Sequence, residues 1–175
     1  MRARESRHSY SEVGDTAGVI PPLFTVDHNR MRLGSGAETW ERAVEAIRKW
    51  KMFDIPWVRL YRSSTPIVAG ENVAVCAHFG GVYFLNACRI VYVIDEDGRF
   101  GFAYGTLDEH AESGEERFLV EWQRDTNEVW YDLLAFSRPH QFFARIGYPV
   151  ARRVQKRFAQ HSKMAMVRAV HGSMT

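Results

Sequence analysis

A cluster of titratable side chains lies in one polar segment, where His110 is followed by Glu112, Glu115 and Glu116. Imidazole and carboxylate groups this close together can act as general acid and base or ligate a metal ion. The spacing matches no metal-binding motif such as H-E-x-x-H, and the same residues suit a solvated loop between strands. We therefore keep His110 and Glu116 as a possible polar site, and we predict no metal and no cofactor.

A second candidate site combines three polar side chains on an apolar sheet face. The turn positions predict that Tyr104 pairs with both Arg89 and Val120, and that Trp122 pairs with Tyr131. A buried guanidinium without a partner is costly, so Arg89 indicates either a structural ion pair or a ligand site. A β-bulge at residues 86–87 would turn it outward. The predicted face carries Arg89, Val91, Val93, Phe100, Phe102, Tyr104, Phe118, Val120, Trp122, Tyr131 and Leu133.

Three further segments contain residues that could bind a ligand or take part in a reaction. Residues 27–32 (DHNRMR) suit either an anion site or an edge strand with outward charges. Residues 34–36 (GSG) precede a helix but lack the Lys and Ser or Thr of a phosphate-binding loop. Cys76 and Cys88 are predicted to be free, buried thiols on opposite sheet faces, without catalytic reactivity.

These residues are positioned by elements with two different hydrophobic periods. Apolar residues at helical spacing (Trp40, Ala43, Val44, Ile47, Trp50) predict a helix over 37–51. Alternation and turns predict strands at 24–33, 57–62, 73–79, 82–94, 100–107, 118–124 and 129–137, with a hairpin about Gly80-Gly81. A long helix follows from about residue 146. The short links indicate antiparallel pairing.

We predict an α+β fold, in which a curved antiparallel sheet of about six or seven strands grips a long C-terminal helix, with a short helix after the first strand. Residues 1–20 form an irregular N-terminal arm, and residues 21–175 form a single domain.

The composition favours a globular, cytoplasmic protein. The 175 residues are 46% hydrophobic and 13% aromatic, enough for a large core or a roomy pocket. No apolar run reaches the roughly 18 residues of a membrane span, and the N-terminus has no apolar signal region.

Charge is distributed unevenly along the chain. The first 132 residues carry 15 Lys and Arg against all 21 Asp and Glu, whereas the remainder carries eight Lys and Arg and no acid. The terminal helix is therefore basic, and it either pairs with the acidic part of the chain or meets an anionic surface or nucleic acid. Nucleic acid is disfavoured, because only Phe158 interleaves the basic stripe with an aromatic ring.

Several segments resemble a known family when they are taken in order along the chain. They are YSEVGDT at 10–16, RLGSG at 32–36, FGFAYGTL at 100–107, His110, GEERF at 114–118 and FSRP at 136–139. Together they are similar to the bacterial and plant domain-of-unknown-function family numbered nineteen-ninety, which has no established activity. Glu109 departs from the Gly that the family places before its motif His. The element order also resembles the helix-grip superfamily of START lipid-transfer domains, polyketide cyclases and the birch-pollen allergen. That resemblance implies a cavity between the sheet and the terminal helix.

Three functions remain open at this point. The first is binding of a small hydrophobic or amphipathic molecule by Arg89, Tyr104, Tyr131, Phe102, Phe118 and Trp122, with the polar groups holding a polar or carboxylate head group. The second is an enzyme, cyclase-like or hydrolase-like, in the same cavity, which requires a titratable group such as His110 or Glu116 turned inward. The third is attachment of the basic helix to an anionic surface or nucleic acid. Ligand identity and oligomeric state are open.

Overall fold

The computed structural model describes residues 6–20, 22, 24–61, 65–108, 112–139 and 148–172. Within these ranges, seven strands form one antiparallel sheet in the order β1-β7-β6-β5-β4-β3-β2. The predicted order of elements is confirmed. The elements are β1 (Thr25–Ser35), α1 (Gly36–Arg48), β2 (Val58–Tyr61), β3 (Asn72–Phe79), β4 (Val82–Glu96), β5 (Arg99–Thr106), β6 (Glu112–Gln123), β7 (Glu128–Pro139) and α2 (Tyr148–His171).

Two local features set the directions of the first helix and the central hairpin. Gly36 opens α1 with a φ of 84°, a left-handed conformation that glycine adopts at little cost. Gly80 and Gly81 also have positive φ, so Phe79 pairs directly with Val82 across a two-residue turn. The predicted hairpin about these two glycines is confirmed.

The registers of β6 with β5 and of β6 with β7 differ from the predicted ones by even numbers of residues. Tyr104 pairs with Glu116 instead of Val120, because β6 begins at Glu112, six residues before the predicted strand. Trp122 pairs with Val129 instead of Tyr131. Since side chains alternate between faces with a period of two, shifts of four and two residues leave each side chain on its predicted face.

The two helices cover one face of the sheet, which we call the inner face. The core between them combines apolar residues of the sheet with Ala43, Ile47 and Trp50 from α1 and its end, and with Met166 and Val170 from α2. The predicted apolar stripe of α1 is thus the side that faces the core.

The N-terminal residues 6–20 lie against the opposite, outer face of the sheet. Ser9 donates a backbone hydrogen bond to the carbonyl of Thr106, and Tyr10 packs edge-on against Phe136 with ring centroids 5.8 Å apart. A 3-10 turn, Asp15–Ala17, is the regular element of this stretch. The arm is irregular, and it is also extensively bonded to the sheet.

Candidate functional site

A pocket of about 530 Å³ lies between the inner sheet face and the first turns of α2. Much of its apolar lining comes from β3, β4, β7 and α2. The polar lining includes Tyr104, Glu116, Asn86 and Gln155. The pocket thus combines apolar walls with several polar groups, and both are features of small-molecule sites. The apolar side chains include Val75, Ala77, Cys88, Leu133, Val154 and Phe158.

Tyr104 and Glu116 form the central polar pair of this pocket. Their Cα atoms are opposite each other on β5 and β6, and Tyr104 Oη donates a hydrogen bond to Glu116 Oε2 at 2.8 Å. Burial, and then the neighbouring Glu116 carboxyl, raise the pKa of Tyr104 well above its ordinary value. Tyr104 is therefore a protonated hydrogen-bond donor near neutral pH, and it cannot serve as a base.

An ion pair at the pocket rim ties α2 to the first strand. Arg152 Nη2 lies 2.7 Å from Asp27 Oδ1, and Arg152 Nη1 bonds to Oδ2 of the same carboxylate, which gives two-point contact. Gln155 Nε2 also donates to Ser137 Oγ at 3.2 Å. Sequence reasoning missed these rim residues, because nothing in the local pattern shows which strand end a distant helix will cover.

The predicted aromatic lining is a solid core instead. Phe102 and Phe118 stack with centroids 5.2 Å apart, and Trp50 and Phe53 from the end of α1 close over them. Neither Phe102 nor Phe118 lines the pocket, so their predicted position in its wall is wrong. The physical reason is that α1 and the turn after it fill this half of the groove with two rings of their own.

Tyr131 and Trp122 also lie away from the pocket. Tyr131 is fully buried, and its hydroxyl bonds to Ser162 of α2 at 2.8 Å. Trp122 packs near Trp40, and its indole N–H donates to Asn127 at the far end of the sheet. Of the six residues predicted to bind a ligand, the structure places Tyr104 alone in the pocket lining.

Arg89 lies on the outer face, contrary to the prediction. It pairs with Gly105, while Ile90 pairs with Tyr104, because a register shift between Ile90 and Tyr92 inserts one extra residue into β4. An odd shift reverses the face of every side chain beyond it. The guanidinium donates from Nε to Asn72 Oδ1 at 2.9 Å. The bulge lies a few residues away from the position at which the sequence allowed one.

The adjacent carboxylates Glu115 and Glu116 point to opposite faces of β6. Glu115 is 2% exposed on the outer face and accepts hydrogen bonds from Tyr10 Oη (2.8 Å) and the Gly14 amide (2.7 Å). It also accepts from the amide (3.1 Å) and hydroxyl of Thr16. The alternative of a solvated loop is wrong for both acids, because β6 already includes them. A strand alternation begun at residue 112 would have revealed this.

Of the other predicted sites, residues 27–32 make structural contacts, and His110 cannot be compared. Arg30 pairs with Glu121 and Asp132, and Arg32 pairs with Glu128, so residues 27–32 form an edge strand bonded to its neighbours. His110 lies outside the described residues. In the ranges that the structure covers, no group of three or more His, Cys, Asp or Glu side chains is placed to hold a metal ion.

Both cysteines are free and buried, as predicted. They lie on opposite faces, since Val73, the partner of Cys88, is three residues before Cys76 on β3. Burial, and then Glu116, raise the pKa of the Cys88 thiol, which makes it a poor nucleophile.

Some basic side chains of α2 form hydrogen bonds or ion pairs with β1. Besides Arg152, Lys163 is 7% exposed and donates to Asn29 of β1. Arg153, Lys156 and Arg157 are exposed. As far as the described residues go, no helix has the length and apolar character needed to cross a membrane.

Comparisons with known proteins agree with this architecture. The family described as Domain of unknown function (DUF1990) matches residues 9–165. A UPF0548 protein of Dictyostelium discoideum is 42% identical over 158 residues, which is 84% of this chain and 73% of that protein.

Two solved structures share the fold at low sequence identity. Ara h 8.0201 superposes with a TM-score of 0.55 at 12% identity, over 84% of this chain and 97% of the other. Norcoclaurine synthase from Thalictrum flavum, solved in complex with dopamine and hydroxybenzaldehyde, gives a TM-score of 0.56 at 9% identity, over 87% and 90%. The fold is therefore the helix-grip fold that the element order resembles, and the chain belongs to the DUF1990 family of domains of unknown function.

Proposed function

We propose that the pocket between the sheet and α2 binds a small amphipathic molecule. The observation that carries the proposal is the hydrogen-bonded pair Tyr104–Glu116, which lies beside the apolar side chains of the pocket lining. Apolar walls provide affinity in proportion to the area that they remove from water, and a few placed polar groups set orientation. A volume of about 530 Å³ suits a drug-sized molecule.

The polar groups favour a ligand whose head group donates hydrogen bonds. Glu116 contributes carboxyl oxygens that accept, and Arg89, the expected partner of a carboxylate head group, is on the other side of the sheet. Next to Tyr104 and Glu116, a hydroxyl or amine head group therefore fits better than a carboxylate does, although Lys156 also lines the pocket. Norcoclaurine synthase supports the idea at the level of the fold, since it holds two small aromatic molecules.

Native mass spectrometry of protein purified from its own host tests the proposal. A small molecule retained in the native spectrum and lost on denaturation is the expected result. Ala77→Trp, which fills the pocket from β3, should abolish retention, whereas Ala74→Trp on the opposite face of the same strand should not. If both variants keep the molecule, it binds elsewhere and the proposal is wrong.

A second candidate function, catalysis in the same pocket, is favoured by the inward position of Glu116. A carboxyl group beside a protonated tyrosine can exchange protons with a bound molecule during cyclisation, dehydration or hydrolysis. Once the retained molecule is known, Glu116→Gln separates the two candidates. Catalysis predicts that kcat falls at least about a hundredfold with binding largely kept, whereas a binding protein shows no turnover in either form.

A further inference from the structure

The tip of the β3–β4 hairpin exposes a continuous apolar segment. Val82, Tyr83, Phe84 and Leu85 are 53%, 69%, 50% and 63% exposed, and they follow directly after the Gly80-Gly81 turn. We call residues 80–85 the hairpin tip. Single exposed apolar residues are ordinary, but four consecutive ones on both faces of a strand form a surface that water solvates poorly.

The hairpin tip borders the mouth of the pocket. Phe84 pairs with Ala77, which lines the pocket, and the next pocket residue along β4 is Asn86. The tip is also connected to α2 through Trp57. The carbonyl of Trp57 accepts a hydrogen bond from His78 at 2.8 Å, and the guanidinium of Arg157 lies 5.7 Å from the Trp57 ring.

Exposed cationic side chains lie on α2 and β2, the elements that are linked to this hairpin by the pocket and by strand pairing. Arg153, Lys156 and Arg157 are exposed on the part of α2 that covers the pocket, and Lys156 itself lines the pocket. Arg59 of β2 is exposed and pairs with Cys76 of β3, which pairs in turn with Leu85 of β4. Arg59 and Leu85 therefore lie on the same face of the sheet.

We infer that this end of the molecule docks on an anionic phospholipid bilayer, with the hairpin tip in the hydrocarbon boundary and the four cations at the phosphates. Charge complementarity and the exposed apolar area together favour such a surface. Interfacial binding of this kind draws on both, and each Lys or Arg near an anionic surface contributes about a fivefold increase in affinity. Nucleic acid offers phosphates but no apolar phase for Val82, Phe84 and Leu85. Docking would also bring the pocket mouth to the membrane.

The test uses the full chain and phosphatidylcholine vesicles, either alone or with about 30% phosphatidylserine. The expected result is co-sedimentation with the anionic vesicles, weakened at least about tenfold by Phe84→Ser with Leu85→Ser. Lys156→Glu with Arg153→Glu should weaken it by more than about twentyfold. Val19→Ser on the arm and Lys49→Glu just after the end of α1 are matched controls, and they should bind as the parent does. Circular dichroism and thermal melting of each variant confirm folding.

A probe on the hairpin tip reports insertion directly. An environment-sensitive fluorophore on Leu85→Cys should shift to the blue with anionic vesicles, while the same fluorophore on Val19→Cys should not. Absence of vesicle binding overturns the inference, and so does binding that the hairpin variants leave unchanged. Binding of a DNA or RNA oligonucleotide with no vesicle binding, or a dimer in sedimentation that the hairpin variants disrupt, would assign the surface to those partners instead.

Discussion

Replacing Glu115 by Gln should release the N-terminal arm, although the change keeps the shape of the side chain. The Glu115 carboxylate accepts four hydrogen bonds, two on each oxygen, from Tyr10, Gly14 and both donors of Thr16. An amide keeps one accepting oxygen, and its NH₂ group then faces one backbone N–H and one hydroxyl that both donate to the carboxylate in the parent. Hydrogen bonds to a charged acceptor contribute about 1.5–3 kcal/mol each, so losing two costs about 4 kcal/mol.

Two assays divide this loss between the arm and the whole domain. Urea denaturation gives the free energy of unfolding, and chymotryptic cleavage after Tyr10, a 6% exposed residue, reports release of the arm. If the arm opens locally, a loss of about 4 kcal/mol raises the rate of cleavage about a thousandfold, because every 1.4 kcal/mol is a factor of ten.

The adjacent Glu116 provides the matched control. Glu116→Gln changes the same chemical group on the pocket side, where the Gln oxygen can still accept from Tyr104. It should cost no more than about 1 kcal/mol and leave cleavage after Tyr10 unchanged. If Glu115→Gln changes both the free energy of unfolding and the cleavage rate by no more than Glu116→Gln does, the assignment of Glu115 as the anchor of the arm is refuted.

Three further predictions follow from the same geometry. Gly105→Ala should expose the arm to chymotrypsin, because a Cβ at Gly105 would overlap Tyr10 Oη, whereas Gly18→Ala has open space around it and should not; equal cleavage of the two variants would contradict this. Tyr104→Phe should weaken retention of the pocket ligand about tenfold in native mass spectrometry, while Tyr131→Phe should lower stability by about 1 kcal/mol with retention intact; the reverse pattern would place the ligand in the aromatic core. Burial, and then Arg89, lower the pKa of His8, so the unfolded chain binds more protons than the folded one between the folded pKa and about 6.5. Stability from neutral His8 is thus present above about pH 6.5 and lost as pH falls through the folded pKa; a His8→Asn variant whose denaturation midpoint depends on pH as steeply as the parent's would exclude His8 as the source.

The strand pairings show how far sequence patterns predict a sheet. Alternation identified which side chains of β5, β6 and β7 share a face, although the pairings were displaced by four and two residues. A register displacement by an even number of residues leaves each side chain on the predicted face, because side chains alternate between faces with a period of two. Arg89 was assigned to the wrong face because its displacement is odd, and the bulge responsible carries no turn signal in the sequence.

The candidate site was only partly predictable for a related reason. Glu116 and Tyr104 were both singled out from the sequence, on separate grounds, and the structure brings them within hydrogen-bond distance. Gln155 was not, and Asp27 was considered only within the 27–32 segment, because their place at the rim depends on where α2 crosses the sheet. That crossing is set by long-range contacts such as Asp27–Arg152, which span 125 residues.

By itself, the sequence determined the order of the elements, the Gly80-Gly81 hairpin, the inward apolar faces and membership of a family without known activity. The structural features depend on local periodicity and on backbone preferences over a few residues, whereas the family was recognised from its ordered motifs. The tertiary structure alone decided that the turn after α1 fills one half of the groove with Trp50 and Phe53 and leaves a pocket in the other half. It also decided that neighbouring Glu115 and Glu116 serve the arm and the pocket separately. Both outcomes depend on how distant segments pack in three dimensions, and a one-dimensional pattern does not encode those distances.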